Sequence, residues 1–176
     1  TDKDAIYLRN NLDILFVALN PGAQSNANGH YFSGSHSLFF RQLFESGLIV
    51  KELDRSNADV YVFGDNKYNY KNKNFGVIDL LPQIEETNSN KVKIQKSDVD
   101  LLIKRIKEYK PKNVCIIHSK VMKNFKRWTG IELKIGDNYK VFPDQDTIFY
   151  CNYFPNGNPI KKEKKIEIYK MMRDRL

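Results

Sequence analysis

The feature that most constrains this chain is a break. Residues 12–19, Leu12-Asp13-Ile14-Leu15-Phe16-Val17-Ala18-Leu19, make an apolar run that stops abruptly at Asn20-Pro21-Gly22. A short apolar run bounded by a turn signal reads as a buried strand. In open α/β sheets, ligands bind outside the carboxyl ends of the strands. Asn20 is therefore expected at the rim of a pocket. A polar loop, residues 23–29, follows, and the chain returns through His30-Tyr31-Phe32. Phe32 is then available as a wall of that pocket.

The rest of the chain alternates between the two periodicities. Residues 36–47 read as a helix ended by Gly47, with Leu38, Phe39, Gln42 and Leu43 at helical spacing. Residues 58–64 alternate and suggest a strand, leading into a polar loop over 65–74 rich in Asn, Lys and Tyr. Residues 75–82 form a short apolar element containing Asp79. Ser97 and Asp100 are spaced as a capping box for a helix that Pro111 ends. Residues 113–118 read as a buried strand and Ser119 to about Trp128 as a helix. Residues 139–142 and 146–154 are strand-like. The last breaks at Pro155-Asn156-Gly157-Asn158-Pro159, and from Ile160 the chain turns basic and helical. This alternation predicts one domain over residues 1–176, a three-layer α/β/α sandwich around a mainly parallel central sheet. Parallel strand ends point the same way, so the loops at Asn20 and Pro155 are expected to converge on one pocket.

Composition narrows the class. No apolar run approaches the roughly 20 residues of a membrane span. The opening Thr1-Asp2-Lys3-Asp4 lacks the basic flank and apolar run of a signal peptide. The two cysteines, Cys115 and Cys151, lie in apolar runs and read as reduced core residues of a cytoplasmic protein. Two cysteines are too few for a four-cysteine iron–sulfur cluster. The three histidines, His30, His36 and His118, show no metal-ligand spacing, so no metal is expected. A net charge of +8 favours a polyanionic partner, although a lysine- and asparagine-rich surface accounts for it equally well.

Leu19-Asn20-Pro21-Gly22, followed by Gly29-His30-Tyr31-Phe32, resembles the first motif of the mismatch-specific uracil/thymine-DNA glycosylases of the uracil-DNA glycosylase superfamily. The similarity extends to the C-terminus. Gly76-Val77-Ile78-Asp79-Leu80 resembles the family's pocket-bordering element, and residues 106–114 its helix–Pro–strand passage. Residues 155–162 take the place of its second motif, the loop that enters DNA. The resemblance implies a uracil-DNA glycosylase-like fold and monomeric action on DNA without a cofactor. Asn20 and Asn156 would be catalytic, and Phe32, twelve positions after Asn20, would stack on an extruded base. Pro21, Gly22, Ala23 and Asp79 would border that base. Gly157, Asn158, Pro159, Ile160, Lys161 and Lys162 would meet DNA, with Ile160 as the apolar wedge. The second loop places its Gly and Pro differently from the family, and Asp79 stands where the family often has Lys or Asn.

The residue types suit that chemistry. Cleaving an N-glycosidic bond builds positive charge on the sugar and negative charge on the departing base. An asparagine can orient water through its amide oxygen but takes up no proton at neutral pH. Catalysis would then rest on positioning and on stabilising the leaving base. Each residue also has a plainer reading. Asn20 can be a turn residue, Phe32 a packed loop aromatic, Asp79 a capping or salt-bridging acid, and His30 a surface residue. Lys161, Lys162, Lys164 and Lys165 suit phosphate contacts or a solvated helix face. At this level three functions stay open: a uracil glycosylase, a glycosylase for hypoxanthine or xanthine, and a non-catalytic nucleic-acid- or nucleotide-binding protein.

Overall fold

A computed structural model describes residues 5–176; Thr1 to Asp4, read above for a leader, lie outside the described residues. Five strands form one sheet in the order β2-β1-β3-β5-β4: β1 Ile14–Ala18, β2 Phe75–Asp79, β3 Asn113–Ile116, β4 Gly136–Lys140 and β5 Ile148–Cys151. The first four in spatial order are parallel, and β4 closes one edge antiparallel to β5. Side chains alternate across the pleat, so one strand feeds two cores. Leu15, Val17, Val114 and Ile116 pack on one face with Leu102 and Ile106 of α4 (Lys96–Tyr109) and Val121 and Phe125 of α5 (Ser119–Thr129). Ile14, Phe16, Cys115 and Tyr150 pack on the other, against α2 (Phe39–Ser46), α3 (Ala58–Val62) and α6 (Lys162–Asp174). The three-layer α/β/α sandwich is the expected one.

Phe16 is the centre of the second core. Its ring meets Phe39, Phe75 and Tyr169 edge-on at 5.3, 6.1 and 6.3 Å. Truncating such a ring to alanine costs about 3–5 kcal/mol. Gly76 explains itself by contact: a Cβ there would collide with the Tyr7 carbonyl and lie 2.6 Å from Leu12 Cδ1.

Three local expectations are corrected. Within residues 58–64, Ala58–Val62 is helical, not extended. Ala58, Val62 and Phe63 are buried while Val60 is 45% exposed, which is a helical stripe in a segment too short for its period to show. The polar loop after Gly22 contains a helical turn, α1 (Ala23–Asn28), ended by Gly29 in the left-handed region. The cap of α4 sits two residues earlier than Ser97-Asp100. Asp98 accepts from the Gln95 N–H at 2.8 Å, while Asp100 pairs with Lys96 at 2.8 Å.

Candidate active site

The parallel strands bring three chain segments out side by side. The Ile117 N–H donates to the Val17 carbonyl at 3.0 Å, and the Asn152 N–H to the Ile116 carbonyl at 2.8 Å. Asn20, His118 and the segment from Asn152 to Phe154 thus leave neighbouring strands at the same end. They line a cleft of about 930 Å³, joined by Phe32 and Asn156.

Asn20 is fixed in one orientation. Its Nδ2 donates to the Ile84 carbonyl at 2.9 Å and the Glu86 carbonyl at 2.8 Å, with the Pro21 carbonyl at 3.3 Å. Carbonyl oxygens accept only, so the NH2 must lie on that side. Oδ1 is then the polar atom this residue offers to the cleft. Pro21 itself is buried and outside the lining; its carbonyl also accepts from the Glu86 N–H at 3.3 Å. Gly22 and Ala23 do line the cleft, but the Ala23 N–H, a candidate donor to a base, faces Thr87 Oγ1 at 3.3 Å.

Phe32 has φ +53°, uncommon for a residue with a Cβ. One face stacks on Phe39 at 4.1 Å with planes 25° apart, and the half-buried ring also lines the cleft. The backbone before it is clamped from below. Asp59, 1% exposed, accepts from the Tyr31 N–H at 3.0 Å and lies 2.9 Å from His30 Nδ1. Burial, with Asp59 beside it, pushes the Tyr7 hydroxyl up to about 12, so Tyr7 keeps its proton. His30 is therefore part of a clamp rather than a bare surface residue.

Sequence reasoning left His118 without a role. Its Nδ1 accepts from the Lys120 N–H at 3.1 Å as the cap of α5, and its ring lies 5.4 Å from Phe154. Burial, and then the Lys120 charge, lowers its pKa to about 4. The ring is neutral at physiological pH, with its proton on Nε2 because Nδ1 is an acceptor. That makes it an uncharged donor in the cleft. Its position at the end of an apolar strand was the only signal in the sequence; that this strand lies beside the one carrying Asn20 follows from the strand order.

Asp79 ends β2 opposite Ala18, is 3% exposed, and is outside the cleft lining. In the second loop, Asn156, Gly157, Asn158 and Ile160 line the cleft, whereas Pro159 and Lys161 are exposed outside it. Asn158 organises the tip: its Nδ2 donates to the Phe154 carbonyl at 2.8 Å and its Oδ1 accepts from the Ile160 N–H at 3.2 Å. Ile160 belongs to neither hydrophobic core. Lys162 lies 3.7 Å from Glu45. Lys165, grouped with the surface lysines by sequence, is 2% exposed, and its Nζ donates to the Pro155 carbonyl at 3.0 Å. The Gln42 side chain donates to that same oxygen at 3.0 Å.

Among the described residues no three His, Cys, Asp or Glu side chains cluster as a metal site. Cys115 and Cys151 are buried free thiols whose pKa burial raises, Cys151 to about 12. No helix of the described residues is long and apolar enough to cross a membrane. The cleft is thus built from an oriented amide, a neutral imidazole, an aromatic wall and a loop with an apolar residue beside it. The sequence profile of the Uracil DNA glycosylase superfamily matches residues 6–165, a span holding both loops and the whole sheet. The chain belongs to that superfamily of DNA glycosylases.

Proposed function

We propose that this protein is a monofunctional glycosylase that hydrolyses the N-glycosidic bond of uracil, or a related deaminated or mismatched base, in DNA. The observation that carries the reading is Asn20, whose amide nitrogen is held by two backbone carbonyls, leaving its oxygen as the atom that can accept from a water in the cleft. The extruded base lies against the open face of Phe32. Water adds to the anomeric carbon as the carbon–nitrogen bond breaks, and the base leaves with the electron pair. The His118 Nε2–H donates to a carbonyl of the departing base, and water's second proton passes to solvent or to the base. Asn20 takes up no proton at neutral pH, so on this mechanism positioning and leaving-group stabilisation supply the acceleration. A base whose anion is stable, such as uracil, is the substrate this machinery suits. Asn156 and the loop from Gly157 to Lys162 meet the DNA strand from which the base was drawn, and no cofactor takes part.

The test is a panel of labelled oligonucleotides carrying U, T, hypoxanthine or xanthine opposite each base. Alkali-sensitive sites at U, with no strand break before alkali, are expected. Cleavage confined to hypoxanthine or xanthine would move the substrate to a purine. No abasic sites at enzyme excess would leave only a binding function.

A further inference from the structure

At the other end of the sheet lies a surface that the cleft chemistry does not use. The chain enters β2 at Phe75 and leaves it toward the cleft at Asp79, so the segment before Phe75 is on the far side. The two ends of a five-residue strand are separated by roughly 15 Å. There Ile49 bridges Asn69, and the Val50 N–H donates to the Tyr68 carbonyl at 2.8 Å. This pairing sets Lys51 beside Lys67 and Tyr68. The Lys51 and Lys67 ammonium groups lie 4.8 and 4.9 Å from the centre of the Tyr68 ring, and Lys67 lies 5.7 Å from that of Tyr61. The two rings are 5.9 Å apart.

Two observations separate this cluster from an ordinary solvated surface. First, two ammonium groups converge on one phenol, and among the described residues neither pairs with a carboxylate. Hydrogen bonds from Lys51, with the charge of both lysines, pull the Tyr68 hydroxyl below its ordinary pKa. Both ammonium groups lie within 4.9 Å of one ring centre, and an anion placed between them is attracted by both. Second, the segment is rigidly built. Asn69, 2% exposed, donates to the Val62 and Lys73 carbonyls at 2.9 Å each. Lys71 and Asn72 take left-handed φ of +50° and +54°, a conformation non-glycine residues hold only when their surroundings impose it. Val50 and Val60, 59% and 45% exposed, flank the cluster.

We propose that this face is a second nucleic-acid contact, taking a single-stranded DNA segment with a phosphate between Lys51 and Lys67 and bases against Tyr61 and Tyr68. Single-stranded DNA fits better than duplex because duplex bases do not expose their faces to a protein ring, whereas unpaired bases stack readily on tyrosine. Cleft and far face then hold separate stretches of DNA, raising the local concentration of one while the other is engaged.

The test measures binding of a uracil-free oligothymidine by fluorescence anisotropy over a salt series. The Lys51→Gln/Lys67→Gln protein is expected to lose about tenfold in affinity and to flatten the log–log salt slope by about 1.4, the value for two phosphate contacts on a single strand. Tyr68→Leu should lose about five- to tenfold with the slope retained, because stacking releases no counterions. Both proteins should melt with the wild type and excise uracil from a short duplex at its rate. If no protein excises any base, the catalytic reading fails while the binding result still stands. Unchanged affinity and slope in the double variant would overturn the proposal. So would displacement by polyglutamate, or by inorganic phosphate at matched ionic strength, as effective as displacement by DNA.

Discussion

The two loops that face the cleft are held in opposite ways. The first, residues 20–35, is tied to the protein at nearly every step: Asn20 to two carbonyls, Gln24 Oε1 to the Ser35 N–H at 2.6 Å, Tyr31 to buried Asp59, and Phe32 to Phe39. The second, residues 154–161, is pinned only at its base, where Gln42 and Lys165 share the Pro155 carbonyl. Its tip is bonded to itself through Asn158 and turns through Gly157 at φ +77°. A catalytic group misplaced by 1 Å can lose about a hundredfold in rate, so on the proposed mechanism the loop carrying Asn20 has to be rigid. A loop that enters a stack of bases has to fit whatever backbone it meets. Tethering at one end leaves it that freedom.

The largest effect should come from the rigid loop. Asn20→Ala is expected to lower single-turnover excision about a hundredfold or more, the cost of losing one group that acts in the transition state, while DNA affinity changes little. Rates from quenched time courses and affinities for an uncleavable analogue decide it. Equal losses in both would make Asn20 a turn residue and remove the contrast between the loops. Asp59→Ala attacks the same loop from beneath. It leaves the Tyr31 N–H without its acceptor, and a melting curve should show a loss of about 2–3 kcal/mol. Excision should fall with it, because Phe32 loses its support. A variant that melts as the wild type would show that the clamp is dispensable.

Parts of this architecture were legible in the sequence. The apolar run ending at Asn20-Pro21-Gly22 set the first strand and the pocket rim, and the return of the loop through Phe32 offered its wall. The helix at 58–62 was not legible, because Ala58-Asp59-Val60-Tyr61-Val62 satisfies both periods over five residues. Asp59 could not be found as a clamp, since its partners lie 28 and 29 positions away. His118 required the strand order, which places β3 between β1 and β5. Lys165 was within reach: Ile166, Tyr169 and Met172 are the buried face of α6, and helical spacing puts Lys165 on it. Reading residues 161–165 as one basic run concealed that.

A smaller effect tests the residue between the loops. The folded protein holds His118 neutral down to about pH 4, whereas the unfolded chain protonates it near 6.5. As pH falls through that interval the unfolded state binds the proton first, so stability is lost between pH 6.5 and about 4 and is unaffected above. Taken in full that interval is worth about 3 kcal/mol, and the partial exposure of the ring brings the expected loss to the order of 2 kcal/mol. His118→Gln should flatten that part of a denaturant-derived stability profile. An unchanged profile would assign the acid slope to other groups and put His118 in contact with solvent.

The smallest effect should separate the loops most cleanly, and it concerns Ile160. This side chain lines the cleft yet packs into neither core, so Ile160→Ala should leave the melting temperature within error of the wild type. Extruding a nucleotide from duplex DNA leaves a gap, and apolar side chains can wedge into such steps where unstacking costs a few kcal/mol. The branched aliphatic should matter only where there is a stack to hold open. Excision from duplex is therefore expected to slow about five- to tenfold, roughly the 1 kcal/mol or so that one lost apolar contact is worth. Excision from a single strand of the same sequence should be unchanged. Phosphate contacts behave differently, since they carry no sequence or strand information. Replacing exposed Lys161, which caps α6 without a side-chain bond, should weaken binding to both substrates alike and reduce the salt slope. If Ile160→Ala instead slows both substrates equally, or lowers the melting temperature by several degrees, then Ile160 is held by the protein itself. The second loop would then be as rigid as the first, and its adaptability would have to come from Gly157 alone.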